Sequence, residues 1–485
     1  VYVYSQLYYY NKLAKKDTDK IKLNSICALS NIKKPFEITI YQFFKVTLCN
    51  GKKMQQEQRL NTLETDKVVK ANKKPGLYYI FAVILCGTAL EHYDIGLFSY
   101  MLAVLSEVFF PREQEIDGLV FLTSLMPLGV LIRPIGAIVI GKIGDSWGRI
   151  HALSISMIGM ALCTGSISLI PSYQQIGLLA PIILISCRLL QNFFVAGEYI
   201  GGAVYILENC KPEHRGRASS IYCSATTLGP IVASIITSMI AIDPMKYWKI
   251  PFLFGFLTGI VGFIIRIKAI KLLPQTKKMQ VVSTRELLSD KNNLKIILKL
   301  AGCTTYFSGC YNLSTYFLNS YVPLVSDFSK NLVLKINSCC LVVYIIALLI
   351  AGAVADRFGA KKVMKGAAVT SMILAYPAFL LLEQPSLIGI IILKATLAAL
   401  CGWYIGPFHS FLFVHFKQSA KYRLISLAHA LGSIWGNCMA PIAFNVWKKY
   451  HIVTMPAILF IITSIVAFLS LNSVIGITSE DKQSS

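Results

Sequence analysis

The sequence predicts an all-α membrane protein with twelve transmembrane helices in two six-helix, pseudo-symmetric halves. Three observations lead there: long blocks without charge, basic residues gathered on alternate connections, and a motif that recurs at a fixed distance. Of the 485 residues, 55% are hydrophobic and 15% charged, against about 25% charged in soluble domains. Ile150–Cys187 and Ala218–Ile242 contain no Asp, Glu, Lys or Arg, and in Gln384–Phe416 Lys394 is the one exception. A bilayer-crossing helix needs roughly 20 apolar residues, so each block holds one or two crossings. Disorder and a small disulfide scaffold are excluded by the same composition, and a soluble enzyme by the block length.

Splitting the blocks at charges and at Pro/Gly turns places helices near 77–104, 118–140, 151–170, 177–206, 219–241, 250–270, 297–324, 332–354, 363–381, 386–408, 424–446 and 453–475. With both termini inside, the cytoplasmic side carries 26 Lys/Arg from Lys67 onward and the outer side seven, so the positive-inside rule selects this orientation. The organisation expected is a leader over 1–75, a first half over 76–270, a basic central loop over 271–296, a second half over 297–475 and a short cytoplasmic tail over 476–485.

The formal charge of +23 is mostly topology. Residues 1–53 hold ten Lys and three acids, a net +7 that leaves +16 for the connections. No basic patch is interleaved with aromatics, so nucleic acid is not an expected partner. Residues 1–53 lack a sustained apolar run and are not a signal peptide. Either translation begins at Met54, or these residues form a cytoplasmic extension. The thirteen cysteines have no metal-ligand spacing and read as small hydrophobes. No metal and no cofactor is expected.

The halves repeat. Gly141, Asp145 and Gly148 in GKIGDSWGRI recur as Gly352, Asp356 and Gly359 in GAVADRFGAKK, each 211 residues later, and Pro230 and Pro441 are spaced by the same 211. Two six-helix repeats around a central site are the architecture of alternating-access transporters. In each motif the glycines allow a tight turn and close helix approach. Asp145 can face the positive end of a neighbouring helix, and Arg149 can pair with a carboxylate across the interface.

GKIGDSWGRI and its repeat resemble the signature of the major facilitator superfamily. GTALEHYD (87–94), RPIGAIVIGKIGD (133–145) and RLLQNFFVAGEYIGGAVYILE (188–208) resemble its metabolite:proton symporter branch, and the proline/betaine type above the others. The resemblance runs from about 76 to 475. It implies a multi-pass protein of a bacterial inner membrane that moves a small solute with protons across the lipid bilayer, a mechanism for which a monomer suffices. It also implies a cytoplasmic latch at Gly141, Asp145, Gly148 and Arg149, and at Gly352, Asp356, Arg357 and Gly359. His92 stands where the branch usually has an aromatic, and Asn192 where it usually has Gly. The short tail differs from the long coiled coil that osmosensing members often carry.

Charges inside spans cost at least about 2.5–3.5 kcal/mol each on insertion scales, so each needs a reason. Glu91 and Asp94, three apart on one face of the first span, are candidates for proton coupling or for a fixed pair with Arg133 or Arg188. Arg188, with Gln191 one turn on, is a candidate grip for a substrate carboxylate; the other reading is a salt bridge to Glu91, Asp94 or Glu198. Arg133, next to Pro134, suits a hinge, and Glu198 a gate or an intramembrane pair. Lys394 is a cation in the tenth span that either favours an anionic substrate, pairs inside, or snorkels outward. Tyr311, Asn312 and the polar residues around them predict a wall facing a water-filled cavity.

The expected protein is a proton-coupled symporter for a small carboxylate-bearing solute such as proline or glycine betaine. The alternatives are a dicarboxylate symporter, for a solute like 2-oxoglutarate, and a non-transporting membrane sensor. No nucleotide loop or nucleophile–base pair appears, so an enzyme is not expected.

Overall fold

The computed structural model describes residues 77–111, 115–240, 243–272, 284–416 and 421–474, and every regular element among them is helical. The leader, most of the central loop and the tail lie outside the described residues. The first half contains α1 (Leu77–Phe109), α2 (Glu115–Val130), α3 (Arg133–Trp147), α4 (Arg149–Leu169), α5 (Leu179–Glu208), α6 (Arg215–Ile240) and α7 (Lys249–Leu272). The second contains α8 (Lys291–Asn312), α9 (Leu318–Val325), α10 (Lys330–Phe358), α11 (Ala360–Leu380), α12 (Leu387–Ile405), α13 (Phe408–Phe413), α14 (Lys421–Tyr450) and α15 (Met455–Ser473). A π-helical segment, Leu313–Phe317, joins α8 to α9.

Helices cover all twelve predicted spans, and ten segments are long and apolar enough to cross a membrane. The remaining two are α8–α9 and α14. Lys291, Asn292, Asn293 and Lys295 open the first, and Lys421, Arg423 and His429 lie in the second. Arg423 and His429 are covered by neighbours, whereas Lys291, Asn292 and Lys295 are exposed at the start of α8; the two helices pack along each other. Outward-facing apolar residues such as Leu169 (79% exposed) and Ile388 (70%) would cost free energy in water and suit a lipid surface.

Several boundaries differ from expectation. The second span is broken at Leu131–Ile132, just before Arg133 and Pro134, because proline cannot donate back to the preceding turn. The seventh begins at Lys291 and is interrupted by the π segment. The tenth stops at Ile405 ahead of Gly406–Pro407 and resumes as the short α13. Gly141 and Gly352 lie inside α3 and α10 rather than in loops. The turns themselves fall at Gly148 (φ +104°) and Gly359 (φ +88°), backbone values that L side chains rarely adopt.

The repeat extends to packing. α1 lies along α6 as α8 lies along α14, and α4 lies against α7 as α11 lies against α15. The halves meet along two seams, α6 with α10, and α2 and α3 with α14. Pro230 and Pro441 sit inside α6 and α14, and Pro230 packs against Gly96 of α1. At one end of the first seam Gly216 and Gly352 let two backbones touch: a Cβ on Gly216 would meet the Gly352 carbonyl at 2.5 Å.

Candidate functional site

Three features bear on function: a buried polar relay in the first half, an aromatic and polar wall in the second, and clasps between the halves.

The relay begins on α5. Arg188 and Gln191 are one helical turn apart, so their side chains meet, and Arg188 Nη1 donates to Gln191 Oε1 at 2.9 Å. Gln191 Nε2 donates to Thr164 Oγ1 on α4 at 2.8 Å, and Thr164 Oγ1 donates to Asp94 Oδ2 on α1 at 2.8 Å. A guanidinium and a carboxylate are thus joined through two neutral side chains, with no direct Arg188–Asp94 ion pair among the described residues. Asp94 is 4% exposed and Arg188 7%. Phe98, one turn after Asp94, places its ring 4.0 Å from Arg188 Cζ and covers the cation. Asn192 tightens this corner by donating to the Arg188 carbonyl at 2.9 Å while accepting from Arg133 Nε at 2.9 Å.

Glu91 is buried on α1, one turn before Asp94. The His92 ring is buried too and donates from Nδ1 to the Thr88 carbonyl at 2.9 Å. The side chains of Asp145, Arg149 and Glu198 lie outside the described residues.

The wall belongs to the π segment and its flanks. The Tyr316 ring meets Tyr311 edge-on at 5.4 Å and Tyr100 of the first half edge-on at 5.3 Å. Tyr311 also contacts Tyr344, and Asn312 Nδ2 donates to Asn437 Oδ1 at 2.9 Å. Lys394 is 1% exposed, so it does not snorkel; Nζ donates to Asn319 Oδ1 at 3.0 Å.

The clasps lie toward opposite ends of the bundle. Asp356, on the last turn of α10, meets the N-terminus of α6. It accepts from the Gly216 N–H at 2.7 Å, the Arg217 N–H at 3.3 Å and Arg217 Nε at 2.9 Å. Unpaired helix-start N–H groups and an arginine fork both favour a carboxylate. Arg357 is exposed and takes no part. Toward the other end, Asn337 Nδ2 donates to Tyr100 Oη at 3.1 Å, Ser338 to Ser234 at 3.0 Å, and Lys330 lies 3.5 Å from Glu107.

Sequence reasoning missed Thr164 and Arg217, and it placed Asn319 in the polar wall without its Lys394 partner. Nothing in the sequence separates Thr164 from the many span Ser/Thr residues that bond only their own helix. Arg217 sits in an ordinary basic connection, and its partner lies 139 residues away. Also missed was the contact of Cys223 Sγ with His409 Nδ1 at 3.3 Å, on the seam between the halves.

That contact gives the clasp a readout. Asp356→Asn keeps an oxygen acceptor but loses the charge that both Arg217 and the helix start favour. We expect the Asp356 end to open more often, so that maleimide labels Cys223, buried in the wild type, several-fold faster. Unchanged Cys223 labelling, followed by peptide mass spectrometry, would show that the clasp does not hold this end shut.

Two helical halves with buried charges and clasps toward both ends fit a membrane transporter rather than an enzyme. The chain belongs to the Major Facilitator Superfamily, whose family model matches residues 84–441. It is 28% identical over 429 residues to a putative proline/betaine transporter of Staphylococcus aureus, covering 85% of this chain and 89% of that one. It is 26% identical over 411 residues to the proline/betaine transporter of Escherichia coli K12, covering 79% and 80%. Its fold is similar to that of a D-xylose–proton symporter, with a TM-score of 0.64 at 15% identity over 82% of this chain and 97% of the other.

Proposed function

We propose that this protein is a proton-coupled symporter that imports a small carboxylate-bearing solute, such as proline or glycine betaine, by alternating access. The observation that carries the reading is the relay from Arg188 through Gln191 and Thr164 to Asp94. The named functions of the Staphylococcus aureus and Escherichia coli relatives support the substrate class.

The relay supplies a coupling mechanism. A substrate carboxylate takes the place of Gln191 Oε1 on the Arg188 fork, since a charged acceptor binds guanidinium more strongly than an amide does. Gln191 is then free to turn, and the link from Thr164 to Asp94 changes with it. With Arg188 neutralised by substrate, a proton on Asp94 leaves the pair balanced, which lowers the cost of occluding both. The clasps then exchange and the halves rock about the bound solute. In this scheme Asp94 is the coupling acid rather than Glu91. The aromatic wall at Tyr311 and Tyr316, with Asn312 beside it, suits the cationic end of a zwitterion. The dicarboxylate alternative rests on Lys394, whose ammonium donates to Asn319. The basic connections suit an orientation with both termini in the cytoplasm of a bacterial inner-membrane protein, working as a monomer.

The test is uptake by proteoliposomes under an inward proton gradient, with labelled proline, glycine betaine and 2-oxoglutarate side by side. Accumulation of a zwitterion that a protonophore abolishes is the expected result. Accumulation of 2-oxoglutarate alone would move the assignment to dicarboxylates. No accumulation of any of the three would overturn the substrate class.

A further inference from the structure

The seventh span changes winding at Leu313–Phe317, where Leu318 N–H reaches back five residues to the Leu313 carbonyl. Such a widened turn takes some carbonyls away from their usual i+4 partners, and isolated π turns cluster at functional sites. Side-chain bonds back to the preceding turn run through and beyond this segment. The Tyr311 carbonyl accepts from the hydroxyls of Ser314 at 3.2 Å and Thr315 at 2.5 Å. The Thr315 carbonyl accepts from Asn319 Nδ2 at 2.5 Å, and Asn319 Oδ1 in turn accepts from Lys394 Nζ at 3.0 Å. Lys394, Asn319, Thr315 and Ser314 are all at most 5% exposed.

This chain of bonds has a direction. The ammonium donates to one end of the Asn319 amide, and the other end donates to the π segment. A charge on the oxygen side polarises the amide and strengthens its N–H as a donor, as bonds in series reinforce one another in a low-dielectric interior. The segment held this way presents Tyr311 and Tyr316, and Tyr316 reaches across to Tyr100 in the other half.

We propose that Lys394 is a positioning residue: acting through Asn319, it braces the π-helical segment and so sets the aromatic wall that faces the substrate, without touching substrate itself. This goes beyond the proposed function, and only the transport arm of its test rests on that reading. A lysine buried at 1% exposure with a neutral partner is costly in a span. A brace accounts for that cost in a way that a snorkelling or merely packed lysine does not.

Asn319→Asp decides the matter. Aspartate keeps, and strengthens, a partner for the ammonium, but it has no N–H to donate to Thr315. If the brace is what counts, Asn319→Asp behaves like Lys394→Met. If Lys394 needs only a partner for its charge, Asn319→Asp is neutral or better. Hydrogen–deuterium exchange over residues 311–321 is the first readout, with protection expected to fall roughly two- to tenfold in both variants, the scale for losing one hydrogen bond, and little change in α4 or α15. The second readout is the apparent KM for whichever of labelled proline, glycine betaine or 2-oxoglutarate the wild type accumulates. It is expected to rise about tenfold in Asn319→Asp with Vmax within about twofold. Wild-type exchange and wild-type KM in Asn319→Asp would overturn the proposal, whether or not Lys394→Met folds. Failure of the wild type to accumulate any tracer would count against the substrate class, and the exchange measurement would still decide the brace.

Discussion

Asp94→Asn is expected to abolish proton-driven accumulation while leaving exchange of solute across the membrane intact. The substitution keeps an oxygen that can accept from Thr164 and removes the proton site, so packing around Gln191 and Arg188 is disturbed little. In proteoliposomes the concentrative uptake of tracer should fall at least about tenfold, a loss of roughly 1.4 kcal/mol in driving force, and counterflow exchange should persist. Glu91→Gln is the control, on the same face of α1 and one turn away. It should accumulate tracer normally if Asp94 alone carries the proton. Decoupling by Glu91→Gln with normal uptake by Asp94→Asn would move the coupling acid to Glu91. Normal accumulation by both would end the coupling proposal.

Arg188→Ala should be the most damaging single change for substrate. It removes the proposed carboxylate grip, the partner of Gln191 and the cation over Phe98 together. Loss of a hydrogen bond to a charged group is worth about 1.5–3 kcal/mol, so tracer affinity should fall roughly 10- to 150-fold. Arg188→Lys retains charge but not the planar fork; its affinity should lie between wild type and Arg188→Ala. Gln191→Leu should separate the roles, because it cuts the relay while leaving the guanidinium: affinity should change little and proton-driven accumulation should fall. Wild-type affinity in both Arg188 variants, measured by tracer binding in detergent, would rule out the grip.

Much of the architecture was legible in the amino acids because a bilayer imposes strict and local rules. Charge-free blocks of about 20 residues have one solution in lipid, a helix with all backbone groups paired internally. That is why Ile150–Cys187 and Ala218–Ile242 could be parsed without any knowledge of their neighbours. The repeat was legible because Gly148 and Gly359 need backbone angles that favour glycine, and such positions keep their spacing when a segment is duplicated. The π segment was not legible. Its polar residues pointed to a cavity wall, but the bond that ties Asn319, and with it Thr315, to Lys394 comes from a different helix.

The same division holds at the site. Composition and spacing by themselves determined that Glu91, Asp94, Arg188 and Lys394 stand inside spans, since insertion cost depends on where a charge falls along its own helix. Their partners were decided by tertiary structure alone. Sequence offered Asp94 as a direct counter-ion for Arg188, whereas the fold inserts Gln191 and Thr164 between them. It offered Arg357 beside Asp356, whereas the fold brings Arg217 from the other half. A hydrogen bond is made over about 3 Å and in one direction, and helix periodicity fixes such geometry only within a helix. Between helices it depends on how the seams pack, and no single stretch of sequence carries that information.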